Sequence, residues 1–267
     1  MKLFKYMYTN YKENDFAYLS AQTSYFLLLS FIPLLIFIFT ILGSFNLPTQ
    51  DLYTYLKSVL PSPSYTTVTS ILSEVLSAEP INIMSLLLAL YFASKGVRAL
   101  IVALNKAYCE DECRKFFHLY TLSLIFTLLF VLTLVLMLFS LVFGRVIGEM
   151  VFDFLGIHSN FNVIWVYIRY IITILFSVVT FSFIYKYAPS CKSYKLKFKD
   201  VIGGAIFTTV SWTIASTLFA YYVNNYNNSY STLYGSLGGF FALLVWLYFS
   251  STIIILGGEV NSYFFNR

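Results

Sequence analysis

Residues 201–258 run for 58 positions without one charged side chain. A helix crosses about 30 Å of hydrocarbon in about 20 residues, each adding about 1.5 Å. The run is too long for one crossing and suits two, divided by the polar string Asn224, Asn225, Tyr226, Asn227, Asn228 and Ser229. The same reading upstream predicts spans at 21–42 (with Pro33 inside), 81–104 (interrupted by Lys95 and Arg98), 116–143 and 163–185 (with Arg169 inside). The last two fall at 201–223 and 233–258. Only 11% of the residues are charged, against about 25% in a soluble domain, so the chain cannot clothe a water-facing surface. The expectation is an all-α polytopic membrane helix bundle of about six transmembrane helices, one integral membrane domain over residues 1–267.

An even number of spans puts both termini on one side, and the basic residues say which. Lys2, Lys5, Lys12, Lys106, Arg114, Lys115, Lys186, Lys192, Lys195, Lys197, Lys199 and Arg267 fall on the side of the termini, whereas Lys57 and Arg145 fall opposite. That places both ends in the cytoplasm of a multi-pass protein of the cell (plasma or inner) membrane. The first apolar run is too long for a signal-peptide core and lacks a small-residue cleavage pattern, so it reads as a retained span. Cys109, Cys113 and Cys191 all fall on the reducing side, which argues against a disulfide. Cys109, Cys113 and His118 lack both a fourth ligand and the usual zinc spacing, so neither metal nor cofactor is expected.

The first outer loop carries apolar residues at helical spacing: Leu52, Tyr55, Leu56, Val59 and Leu60, then Val68, Ile71, Leu72, Val75 and Leu76. Pro61 and Pro63 lie between them, which predicts two short amphipathic helices on the outer surface. Leu3, Phe4, Met7, Tyr8 and Tyr11 make a similar stripe beside lysines and predict an interfacial helix on the inner leaflet.

Several runs resemble the YihY/BrkB family. Residues 21–33 (AQTSYFLLLSFIP) are similar to its opening helix; 94–100 (SKGVRAL) and 103–108 (ALNKAY) are similar to its second. The most specific stretch starts at Tyr234-Gly235-Ser236-Leu237, passes Leu244-Val245-Trp246-Leu247-Tyr248, and ends Leu256-Gly257-Gly258-Glu259-Val260-Asn261. The resemblance covers almost the whole chain in order. It implies a six-helix inner-membrane protein, virulence factor BrkB-like, and no settled activity; the family's older name, ribonuclease BN, came from a disputed assignment. The residues speak against that chemistry. Metal-dependent nucleases need clustered His and Asp ligands, and the only two histidines, His118 and His158, fall on opposite sides of the expected bilayer. No basic, aromatic-laced soluble domain is present to hold nucleic acid. No H-E-x-x-H or G-x-S-x-G is found either, and no enzyme is expected.

A charge inside hydrocarbon is expensive and marks a candidate site. Lys95 counts to near the midplane, and Arg98, one turn closer to the cytoplasm, shares its helix face. Glu259 at the inner end of the last span is positioned to pair with either. Asn105, Asn261 and Gln22 belong to the same inner half. Together they predict a polar, positively biased pocket open to the cytoplasm that suits an anionic, phosphate-bearing substrate. Snorkelling to the interface is the competing reading for Lys95 and Arg98. For Arg169 it is outward snorkelling or pairing with Glu149 or Asp153. Gly203-Gly204 and Gly257-Gly258 predict close helix contact, and Lys192, Lys195, Lys197 and Lys199 predict attraction to anionic lipid headgroups. The expected function is a transporter or lipid-handling protein; the alternative is a structural or assembly protein of the envelope, with the charges serving helix association, and a homo-oligomer is compatible with either. A reporter that works only in the cytoplasm is expected to be active when fused to either terminus. Activity of an exterior-only reporter at those positions would reverse the orientation.

Overall fold

The computed structural model describes residues 2–43, 83–108, 112, 114–142, 161–190, 196–225 and 238–265, with scattered positions between 53 and 73. Among them, helices of twelve residues or more are α1 (Lys2–Glu13), α2 (Phe16–Gly43), α3 (Ile83–Ala107), α4 (Phe116–Val142), α5 (Phe161–Tyr187), α6 (Phe198–Asn225) and α7 (Gly238–Phe265). The described part of each expected apolar run is helical. α7 runs on to Phe265 instead of stopping at the glycine pair, so Glu259 and Asn261 lie inside the helix. α2 continues through Pro33. Most of the two expected loop helices, the dividing string beyond Asn225, all three cysteines and His158 lie outside the described residues.

Among the described residues three stretches, Phe116–Thr133, Phe198–Val223 and Gly239–Phe265, are long and apolar enough to cross a membrane, and Ile171–Tyr187 is a shorter apolar one. Burial supports the same environment. Leu29, Leu88, Ile125, Leu132, Ile171, Leu175, Ile214 and Leu218 face outward. Thr23, Ser94, Ser123, Thr127, Thr208 and Ser251 face inward. A protein dissolved in water would reverse that order.

Consecutive helices α2 to α7 pack side by side, and α7 closes the ring against α2 while also touching α3. The registers are antiparallel. Arg98 and Tyr91 of α3 meet Phe116 and Tyr120 of α4. Gly204 and Trp212 of α6 meet Asn261 and Ser250 of α7. Between α4 and α5 the Thr133 and Thr180 hydroxyls lie 2.8 Å apart. The buried cluster gathers at one end, where α2, α4 and α6 begin and α3, α5 and α7 finish: Phe16, Leu104, Tyr185, Val201 and Ile255 are all fully buried there.

Lipid gives helices no hydrophobic reason to associate, so close packing and interhelical hydrogen bonds must hold them. A Cβ on Gly204 would collide with the Gly257 carbonyl oxygen, and one on Gly257 with Thr208 Oγ1 and the Tyr185 hydroxyl. At Gly96 the nearest atoms would be Ser30 Oγ at 2.5 Å and Leu27 Cδ2 at 2.8 Å. Gly203 has room, its nearest neighbour being Asn261 Oδ1 at 3.9 Å. Gly204→Ala and Gly257→Ala are each expected to cost about 1–3 kcal/mol or more through overpacking. Melting in detergent should therefore shift for both and stay near the parent value for Gly203→Ala. Equal melting of all three would show that the α6–α7 contact is not tight.

Candidate functional site

The last turns of α7 carry the polar core of the buried end. Glu259 is fully buried. Its Oε1 accepts a hydrogen bond from the Asn10 side-chain amide of α1, and the Tyr6 hydroxyl bonds to the same carboxyl. Oε2 is buried without a hydrogen-bond partner. Tyr6 also meets the Tyr263 ring at 5.0 Å. Asp15, in the left-handed region at φ 53°, ends α1 and starts α2, its carbonyl accepting from the Tyr18 and Leu19 amides. That sharp break leaves α1 free to lie along α7. The expected apolar stripe of α1 is thereby split: Met7 is buried and Leu3 and Tyr11 partly so, while Phe4 and Tyr8 point outward. The inward face is mixed, with Tyr6 and Asn10 on it. The Tyr11 hydroxyl is pushed up to about 12 by its hydrogen bond with Tyr248 and by burial.

Two residues on from Glu259, Asn261 Oδ1 accepts a hydrogen bond from the Gly204 amide at 2.6 Å. The missing Cβ of Gly204 leaves room for that side chain. Tyr185 of α5, wholly buried, lies 2.5 Å from Thr208 Oγ1 of α6 and donates to the Ile254 carbonyl of α7 at 2.8 Å. One phenol therefore ties three helices.

Asn105 closes the end of α3. Its amide donates to Glu112 Oε2 at 2.6 Å, and its Oδ1 accepts from the Ser190 amide at 2.6 Å. Arg114 grips Glu112 with Nε and Nη2, both at 2.7 Å, and Nη2 also donates to the Ala188 carbonyl at 2.6 Å. The connection after α3 is thus fastened to the connection after α5. Partial burial works against ionisation of Glu112. The hydrogen bonds and charge of Arg114, with the Asn105 amide, outweigh it and hold the carboxyl below its ordinary value.

Among the described residues, the expected site residues do not meet in one pocket. Lys95 is exposed on the outer flank of α3, its ammonium 5.0 Å from the Tyr91 ring and 4.9 Å from that of Phe92. Arg98 is half-buried, its guanidinium 4.7 Å from the Phe116 ring. Neither has an ion pair with Glu259. The reason is steric: the small residues Ala93, Ser94, Gly96, Ala103 and Ala107 occupy the inward face of α3, and the two cations fall between them. Gln22 is likewise exposed on α2. The side chain of Arg169, with Glu149 and Asp153, lies outside the described residues. Asn105, Asn261 and Glu259 do share one end of the bundle, each in a hydrogen bond of its own. A separate cleft of about 480 Å³ opens between α6 and α7, lined by Trp212, Phe219, Tyr222, Trp246 and Phe249. Both indole N–H groups there are taken, by Ser250 and Ser216.

Asn10, Tyr6, Glu112, Arg114, Tyr185 and Thr208 were not among the expected site residues. Tyr6, Asn10 and Asn14 recur four apart, a readable polar stripe. Nothing in the spacing of the others points to a partner. Among the described residues no group of three or more His, Cys, Asp and Glu is placed to hold a metal ion.

The run from α1 through Glu259 to Asn261 is covered by a family-wide match: the virulence factor BrkB family matches residues 7–267. The chain belongs to the virulence factor BrkB family. A ribonuclease-like protein of Bacillus subtilis (strain 168), YfkH, is 36% identical over 100% of this chain and 96% of its own length. A UPF0761 membrane protein of Aeromonas salmonicida (strain A449) is 29% identical over 40% of this chain and 35% of its own. No solved structure matches. Family membership and the apolar helices make this BrkB chain a membrane-embedded protein.

In this BrkB chain the Asn105–Glu112–Arg114 clamp gives a pH signature. The Glu112 carboxyl lies lower folded than unfolded. Its contribution is therefore complete above the unfolded value of roughly 4.3 and is lost as pH falls through the lower folded value. Melting in detergent should drop over that acid range, and Glu112→Gln should flatten the drop. Asn105→Ala should cost roughly 1–3 kcal/mol by stranding buried partners. An unchanged acid limb in the Glu112→Gln protein would remove the clamp from the account.

Proposed function

We propose that this BrkB protein crosses the plasma (inner) membrane six times, with both termini in the cytoplasm, and handles an anionic substrate as a transporter or lipid-handling protein. Six helices of 25–28 residues suit six crossings. At one end of the bundle α1 is fastened to α7, and the connection after α3 is fastened to the connection after α5. That is the end where the lysines and arginines collect. Lys197 and Lys199 there are exposed and suit contact with anionic headgroups, each worth about 1 kcal/mol; Lys192 and Lys195, assigned the same role, lie outside the described residues.

One observation carries the sign of the substrate. Lys95 and Arg98 stand in α3 without a carboxylate partner among the described residues, while Glu259 is taken by α1. Uncompensated cations within a spanning helix favour an anion. Their outward placement favours a lipid-side route over an aqueous pore through the ring. Glu259, Asn105 and Asn261 then serve as supports for the helices around that route. A structural or assembly role is the second reading, and the Asn105–Glu112–Arg114 clamp is the observation in its favour. The name of the Bacillus relative suggests ribonuclease chemistry; the presence of only two histidines in the sequence weighs against it here.

Proteoliposomes holding the purified chain are expected to move a fluorescent anionic phospholipid between leaflets, or to take up a small anion. Lys95→Ala with Arg98→Ala should reduce the rate at least tenfold while the protein still accumulates in the membrane. Failure to move any tested anion or anionic lipid would sink the transport reading. Loss of accumulation in place of activity would favour the structural one.

A further inference from the structure

We propose that the outer flank of α3 and α4 is a binding site for the phosphate-bearing headgroup of a membrane lipid, held by Lys95 and Arg98 within an aromatic strip. The strip is continuous. Lys95 lies over Phe92 and Tyr91; Tyr91 meets Tyr120 at 5.8 Å; Tyr120 stacks on Phe116 with 6° between ring planes; and Arg98 lies over Phe116. Two cations therefore flank four rings across the seam between two helices. The proposal rests on the reading that the chain handles an anionic substrate, and gives it a place and a class.

The Lys95 ammonium lies over the rings three and four positions earlier in α3, the direction in which a helical side chain ordinarily leans. Ring faces attract a cation, yet they supply no countercharge. Arg98 sits level with Phe116, the first residue of α4, where the positive end of the helix dipole adds to the attraction for an anion. The flank thus has two cations and a helix N-terminus facing outward. Among the described residues no carboxylate is paired with either cation.

The surroundings select an amphiphile over a free anion. Leu87, Leu88 and Val102 are exposed on the same side of α3 as the two cations. An acyl chain descending from a phosphate at Arg98 would run along Leu87 and Leu88, toward the start of α3. A bare phosphate would leave them uncovered. Charge complementarity supplies the head, and the apolar flank supplies the tail.

The test uses the full chain in phosphatidylcholine nanodiscs, with spin-labelled phosphatidylglycerol or phosphatidylcholine as probe. The motionally restricted fraction should be at least threefold larger for phosphatidylglycerol. The preference should fall to the phosphatidylcholine level in Lys95→Gln/Arg98→Gln, and persist in Lys95→Arg and in Lys197→Gln/Lys199→Gln. Equal restriction of the two probes by the parent chain would overturn the proposal, as would an intact preference in the Lys95→Gln/Arg98→Gln protein. Displacement by millimolar inorganic phosphate would assign the site to a free anion and overturn the lipid. Where Lys95→Gln/Arg98→Gln does not accumulate, Lys197→Gln/Lys199→Gln decides, a kept preference supporting the site and a lost one overturning it. Lipid preference without transport supports the site and removes the transport reading; transport without preference does the opposite.

Discussion

A polar group on these helices must find its partner inside the protein or among lipid headgroups, because hydrocarbon offers none. The architecture follows from that requirement. The Thr133–Thr180 pair, Tyr185 between Thr208 and Ile254, and the two indoles on Ser216 and Ser250 each join neighbouring helices by a bond that lipid could not replace. Such bonds reach only where backbones come close. Gly204 and Gly257 provide that approach between α6 and α7, and Gly96 provides it between α3 and α2. Glycine costs a helix about 1 kcal/mol relative to alanine in water; here the contact it permits outweighs the cost.

The same requirement makes α1 part of the bundle. Asn10 and Tyr6 reach the Glu259 carboxyl, and Tyr11 reaches Tyr248. A buried carboxyl deprived of those donors would be left without hydrogen bonds in a medium that solvates charge poorly. The N-terminal helix and the C-terminal end of α7 are therefore coupled, although they lie at opposite ends of the sequence. The BrkB family match begins at Met7, inside α1, in keeping with a helix that belongs to the fold.

Lys95 and Arg98 illustrate how a helix face is decided. Their spacing says that they share a side, and says nothing of which side. Small residues settle it, since Ala93, Ser94 and Gly96 admit α2 and turn the cations away from the centre. The result moves the positive charge from the interior of the ring to its flank. It also leaves Glu259, Asn105 and Asn261 as bracing for the end of the bundle.

The helices, the apolar exterior and the close approach at Gly204 and Gly257 were legible from the residues, because each depends on local periodicity and on the length of apolar runs; Gly203, expected to share that approach, has room, and the Gly96 contact was not expected. The family was legible for the same reason, from ordered runs along one chain. Partners were not. Glu259 pairs with Asn10 across 249 positions of sequence, and Asn105 reaches both Glu112 and Ser190. Which groups meet is set by the rotation of each helix about its axis, and only the packing of all of them together fixes that angle.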